Sequence, residues 1–165
     1  MLIKRYIIIA NILFFAMACQ NGDGINPAEN LNKVNLVINA QKYAKVESDR
    51  IAGKGNTLSD SFEIESVEKA GDILKVKVSY TGGCEEHTFE VIYGGQILLT
   101  HPCQINLTLT HNAKDDACEA NITEILEIDL NKLVGDNEYK DACAYNVFNV
   151  LNQSNNPDGT VNDDN

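Results

Sequence analysis

The chain has 165 residues, 24 acidic and 13 basic, for a formal net charge of -11, with 44% hydrophobic residues, five cysteines and no tryptophan. That length suits one globular domain, and the ordinary apolar content excludes a collagenous or wholly disordered chain. The acidic balance argues against a nucleic-acid partner, because phosphate binding needs clustered Lys and Arg, and against adsorption to anionic lipid by charge.

The chain begins with a short basic region, Lys4 and Arg5, followed by an almost wholly apolar run from Tyr6 to Ala18. As a helix that run rises only about 20 Å, short of the roughly 30 Å hydrocarbon core of a bilayer. Residues 1–18 therefore read as a secretory signal peptide rather than a membrane span. The segment Ala16-Met17-Ala18-Cys19 resembles a bacterial lipobox, with Ala16 where Leu is usual. The resemblance implies that Cys19 accepts a diacylglycerol on sulfur and becomes the new N-terminus. Acyl chains of the palmitate type would then anchor the protein, two or three of them holding far better than one. Gln20 after the cysteine implies, by the same resemblance, delivery to the outer membrane, facing either the periplasm or the outside. Residues 19–32, rich in Gly, Asn and Pro, read as a flexible tether.

Beyond the tether the dominant period is two. Val34 to Ile38 reads as a first strand, and Gln41 to Ile51 carries the one passable helical pattern. Phe62 and Ile64 alternate with polar neighbours, and Ala70-Gly71-Asp72 turns that strand into Leu74, Val76, Val78 and Tyr80. Further alternations are Phe89, Val91 and Tyr93; Ile105, Leu107 and Leu109; and Leu126, Ile128 and Leu130. Tyr145 to Leu151 reads as the last strand. Each pattern marks a strand with one buried face. Together they predict an all-β domain over residues 33–152, an antiparallel β-sandwich of about seven strands, with a small β-barrel as the alternative. Residues 153–165, polar and acidic, read as a disordered tail.

With Cys19 set aside, Cys84, Cys103, Cys118 and Cys143 remain. A signal peptide implies an oxidising compartment, so they read as two disulfides. Suppose strand 87–93 pairs antiparallel with strand 104–110, connected by 94–103. The loop before the first strand and the loop after the second then share one end, which places Cys84 near Cys118. Strand 121–130 runs back to the other end, where the connection carrying Cys143 meets Cys103. A tight hairpin at Gly94-Gly95 would give a different order.

Three segments carry a second resemblance: Gly82-Gly83-Cys84-Glu85-Glu86-His87-Thr88-Phe89, His111 to Cys118, and Asp129-Leu130 with Leu133. They are similar to predicted secreted lipoproteins of the Bacteroidota, with a GGC-x-x-H-x-F segment, an H-to-D-x-C segment and a DL-x-x-L ending. No activity comes with that group, so the resemblance implies location and architecture only. Cys103 and Cys143 are extra to its pattern.

His87 and His111 lie at one end of the expected topology, near Asp115 and Asp116, and are the candidate copper or zinc ligands. Against that, no C-x-x-C pair is present, and cysteines in this compartment are oxidised rather than metallated. The competing reading has His87 bonding loop backbone and organising the 81–86 and 111–118 loops. Glu85 and Glu86 are the one carboxylate pair a hydrolase reading can use; adjacent loop glutamates are ordinarily just solvated. No nucleophile-elbow, zinc-protease, phosphate-loop or dinucleotide fingerprint occurs. The expectation is a non-enzymatic, lipid-anchored envelope module without cofactor, whose ligand is a protein or a glycan. The alternative is a metal-binding accessory lipoprotein using His87 and His111.

Overall fold

The computed structural model describes residues 34–162. The expected signal peptide, the lipidation site Cys19, the tether and the last three residues lie outside the described residues.

Among the described residues, eight strands form two sheets. The chain enters on β1 (Val34–Ile38) and passes into helix α1 (Ala40–Ile51). Asn39 caps the helix, its side chain accepting from the Lys42 backbone at 2.8 Å. A hairpin of β2 (Glu63–Ala70) and β3 (Ile73–Gly82) follows, turning at Gly71, whose φ of 59° suits a residue without a Cβ. Next come β4 (Thr88–Leu98), β5 (Gln104–Asn112) and β6 (Ala120–Asp129). Two short helices, α2 (Leu130–Val134) and α3 (Tyr139–Ala142), lead to β7 (Ala144–Asn149) and β8 (Gly159–Val161). One sheet has the order β1-β4-β5-β7-β8 and the other β2-β3-β6.

The core lies between them, filled by the residues that the period-two pattern marks. Leu74, Val76, Val78 and Tyr80 face Phe89, Val91 and Tyr93, then Ile105, Leu107, Leu109, Tyr145 and Val147, with Leu126 and Ile128 alongside. The sheet edges approach each other at β2 and β8, where Gly159 packs so closely that a Cβ would lie 2.2 Å from the Val67 side chain. No ladder joins the two sheets among the described residues, so the architecture is a sandwich and not a closed barrel.

Three expectations need correction. The sandwich is not antiparallel throughout: β1 runs parallel to β4, and β5 parallel to β7. Alternation reports which face is buried, not the direction of the neighbour. Direction follows from the crossovers: α1 with the β2–β3 hairpin lies between β1 and β4, and β6 with α2 and α3 between β5 and β7. Strand β4 also continues through Gly94 and Gly95 to Leu98, with a register shift between Tyr93 and Ile97, so the connecting loop is 99–103 rather than 94–103. Gly94 is required there because the Tyr43 ring of α1 lies against it; a Cβ would sit 2.9 Å from the ring.

The third correction concerns the segment read as a disordered tail from residue 153. It includes β8, which pairs antiparallel with β7, so the folded domain extends past 152. A buried arginine holds it. Arg50 of α1 donates to the Asn152 and Ser154 carbonyls, pairs with Glu47 at 2.7 Å and lies over the Phe148 ring at 4.5 Å. Asp158 accepts from the Asn149 backbone and Thr160 donates to Asn146. Composition marks the segment as polar, but it is ordered by the nearby strand β7 and by the Arg50 side chain, 102 and 104 residues before the carbonyls it bonds. Arg50→Ala is expected to free residues 152–161, accelerating their amide exchange at least tenfold while β3–β6 amides keep their protection; uniform exchange change along the chain would contradict this.

Helix α1 covers the outer face of the larger sheet. Ile92, which breaks the alternation of β4 by being apolar on the outward side, is buried there with Val46 and Val150. On the same face Thr108 donates to Glu47. Tyr43, pushed up to about 12 by burial and then by Glu47, remains a neutral phenol beside them.

Candidate functional site

Two disulfides staple the ends of the strands. Cys84 joins Cys118 with Cα atoms 5.8 Å apart, and Cys103 joins Cys143 at 4.5 Å. The antiparallel β4–β5 ladder brings Cys84 and Cys118 to one end, and the parallel β5–β7 pairing brings Cys103 and Cys143 together at the other. The second bridge sits where β5 and β7 begin, next to a hydrogen bond from the Ala144 backbone to the Cys103 carbonyl at 2.7 Å.

Below the Cys84–Cys118 bridge lies a buried cluster of polar side chains. His87 precedes β4 and His111 lies on β5, opposite Phe89 in the ladder. Both rings are buried, at 2% and 3% exposure. His87 Nδ1 meets His111 Nε2 at 2.8 Å, and His87 Nε2 meets Asp116 Oδ2 at 3.1 Å. His111 Nδ1 lies 3.2 Å from the Ser61 carbonyl. The Tyr80 ring stacks on His87 at 4.5 Å, and the Phe89 ring stacks on His111 at 4.6 Å.

Asp116 ties this pair to the loops. Its Oδ2 accepts from the backbone N–H groups of Gly83, Cys84 and Glu85 at 2.8, 2.9 and 3.0 Å. Its Oδ1 accepts from Cys118 at 2.9 Å. Backbone donors hold the carboxyl far below the usual carboxylate range, those of Glu85 and Cys118 contributing most, with His87 adding to them. His111 is pushed down by burial first and then by His87. Tyr80 is pushed up by burial, by Glu124 and by Asp116, so its phenol stays protonated.

The motif residues now acquire separate physical reasons. A Cβ on Gly82 would come 2.5 Å from the His87 ring, and Gly83 has a φ of 115° that admits the nest around Asp116. Cys84 and Cys118 cross-link the two loops, His87 and His111 form the pair, and Phe89 covers it. Asp129 of the third segment caps α2 by accepting from Asn131 and Lys132, while Leu130 and Leu133 enter the core. Sequence reasoning placed Asp116 only near the histidines and did not assign Tyr80 or Ser61 to them. The D-x-C spacing was the available signal for Asp116. Nothing in the local sequence announces the Ser61 carbonyl as an acceptor for His111.

The histidine pair does not have the geometry of a metal centre. Two nitrogens on one tetrahedral zinc lie about 3.3 Å apart with both lone pairs aimed at the ion. Here the nitrogens face each other at hydrogen-bond distance. A second grouping, Cys84, Asp116 and Cys118, brings its ligand atoms within 4.8 Å, but both sulfurs are in the disulfide and neither is a thiolate. His101 stands apart in the exposed 99–103 loop, and Glu85 and Glu86 are exposed. Two open polar clefts flank Phe62, of about 390 and 420 Å³; Glu63 lines both, with Tyr80 and Asn121 on one side and Asn149 and Asp158 on the other.

No family model matches this chain, and no curated protein matches it. Among solved structures it is similar to a NigD-like immunity protein from Bacteroides caccae, with 17% identity and a TM-score of 0.39 over 55% of this chain and 43% of that one. It is also similar to a protein of unknown function, DUF1344, from Bacteroides vulgatus, with 13% identity and a TM-score of 0.45 over 72% of this chain and 51% of that one. The chain thus spans about half the length of these two structures.

Proposed function

We propose that this protein is a non-enzymatic module of the bacterial cell envelope, anchored through acyl chains on Cys19 in the outer membrane, that presents a rigid β-sandwich to a protein or glycan partner. The observation that carries the reading is the fate of the buried Asp116–His87–His111 cluster. Every ring nitrogen is engaged inside the protein, and the stacked Tyr80 and Phe89 rings cover it, so its groups are committed to holding loops together. A catalytic group needs reach to a reacting atom. Two disulfides support an oxidising compartment, and the segment before Cys19 supports export and lipidation. The polar clefts beside Phe62 are the surface on which a partner would be read.

Cys19→Ser is expected to abolish incorporation of a radiolabelled palmitate precursor and to move the protein from the membrane to the soluble fraction. Unchanged labelling in that variant would overturn the anchor.

A further inference from the structure

We propose that the folded His87–His111 pair carries one net positive charge, and that this buried proton is a pH-sensitive latch holding the 83–87 and 111–118 segments together. Three contacts run in a line: Asp116 to His87, His87 to His111, and His111 to the Ser61 carbonyl. An ionised carboxylate and a carbonyl oxygen only accept. The first contact therefore needs a proton on His87 Nε2, and the last needs one on His111 Nδ1. The middle contact needs one more, between the two rings. Two neutral imidazoles supply only two protons, so the line is complete only when the pair holds three.

Asp116 does not hold the third proton itself. Four backbone N–H groups point at its two oxygens and favour the ionised carboxylate, so His87 Nε2, 3.1 Å away, takes the proton in its place. The middle contact and the Asp116 contact put the third proton on His87, beside the carboxylate. His111 then keeps Nδ1–H and accepts at Nε2. Removing the proton sets a lone pair against an oxygen or against another lone pair, between two rings that are both buried.

The surrounding charges favour retention. On β3, Tyr80 is a neutral phenol hydrogen-bonded to Glu124 of β6. On the 59–61 segment, Asp60 accepts from the Ala113 backbone at 2.7 Å and acts on His111. Glu85 and Glu86 on one loop, and Asp115 and Glu119 on the other, are exposed and acidic; Lys114 is the cation in these two loops, also exposed. Phe62 and Phe89 add apolar walls.

The sign of the pH dependence follows. Above about pH 6.5 the unfolded pair holds two ring protons and the folded pair three, so folding takes up a proton. The stabilisation from this proton is lost as pH rises through its release. Below about pH 6.5 the unfolded pair gains protons that His111, held low by burial, does not take, and stability declines there as well.

The test is nuclear magnetic resonance of the full chain, labelled with 15N-histidine, in detergent micelles. His101, in an exposed loop, serves as the internal reference. At neutral pH the expected result is both nitrogens of His87 protonated and His111 protonated at Nδ1 alone. Two neutral rings, or two fully protonated ones, would overturn the charge assignment. On raising pH, release of the third proton is expected to accelerate amide exchange at residues 83–86 and 113–118 at least tenfold relative to β3 and β6, beyond the intrinsic pH effect. Release without that local acceleration would overturn the latch.

Discussion

Replacing Cys84 and Cys118 together by serine is expected to lower the unfolding free energy by about 2–5 kcal/mol, read from urea unfolding curves as a fall in the midpoint with a steeper slope, because the unfolded chain expands. The bridge closes a separation of 34 residues, and its absence returns that conformational freedom to the unfolded chain. The loops it joins have a second fastening, because the Asp116 carboxylate spans the same gap through three backbone hydrogen bonds, from Gly83, Cys84 and Glu85. The variant is therefore expected to remain folded, with the loss concentrated in exchange protection at 83–86 and 113–118. A fall below about 1 kcal/mol would mean that these loops are constrained to the same extent in the unfolded ensemble.

His87→Ala is expected to cost a similar amount, roughly 3–5 kcal/mol, the range for emptying a buried aromatic site. A simple loop hydrogen bond would be worth far less. The imidazole is stacked on Tyr80, touches His111 and Asp116, and is almost wholly buried. Its removal empties a ring-sized volume and leaves His111 Nε2 without its neighbour. His87→Gln restores part of the volume and one donor, so it should recover part of the loss. Equal losses for Ala and Gln would assign the effect to the ring stack rather than to the polar chain. The disulfide and histidine variants act on the same loops, so their combined cost should differ from the sum of the two.

Both expectations concern residues that the sequence brings together as a short list, yet the list did not disclose its arrangement. His87 and His111 were legible as neighbours because β4 and β5 are consecutive strands with clear alternation. An antiparallel pair with a short loop has only one way to place its ends. The same reasoning made both disulfide pairings legible. Whether the histidines meet a metal or each other depends on distances of a few tenths of an ångström, and spacing in a strand does not encode these. The hydrogen-bonded pair arises because the 83–85 turn and the 113–118 loop deliver Asp116 beneath the bridge.

What the amino-acid sequence determined by itself is the set of inward faces. Leu74 to Tyr80, Phe89 to Tyr93 and Ile105 to Leu109 alternate because each strand has one buried side, and that property is local to the strand. The cysteine inventory and the strand order together carried the disulfide framework. Only the tertiary structure decided the direction of β1 against β4 and of β5 against β7, since burial of a face is indifferent to the direction of its neighbour. Only the tertiary structure likewise made β8 a strand: its three residues cannot bury enough to order themselves, and they become ordered by pairing with β7, with Arg50 holding the segment before them. The outward burial of Ile92 has the same origin, because a helix laid over one part of a sheet turns a solvent face into an interior one.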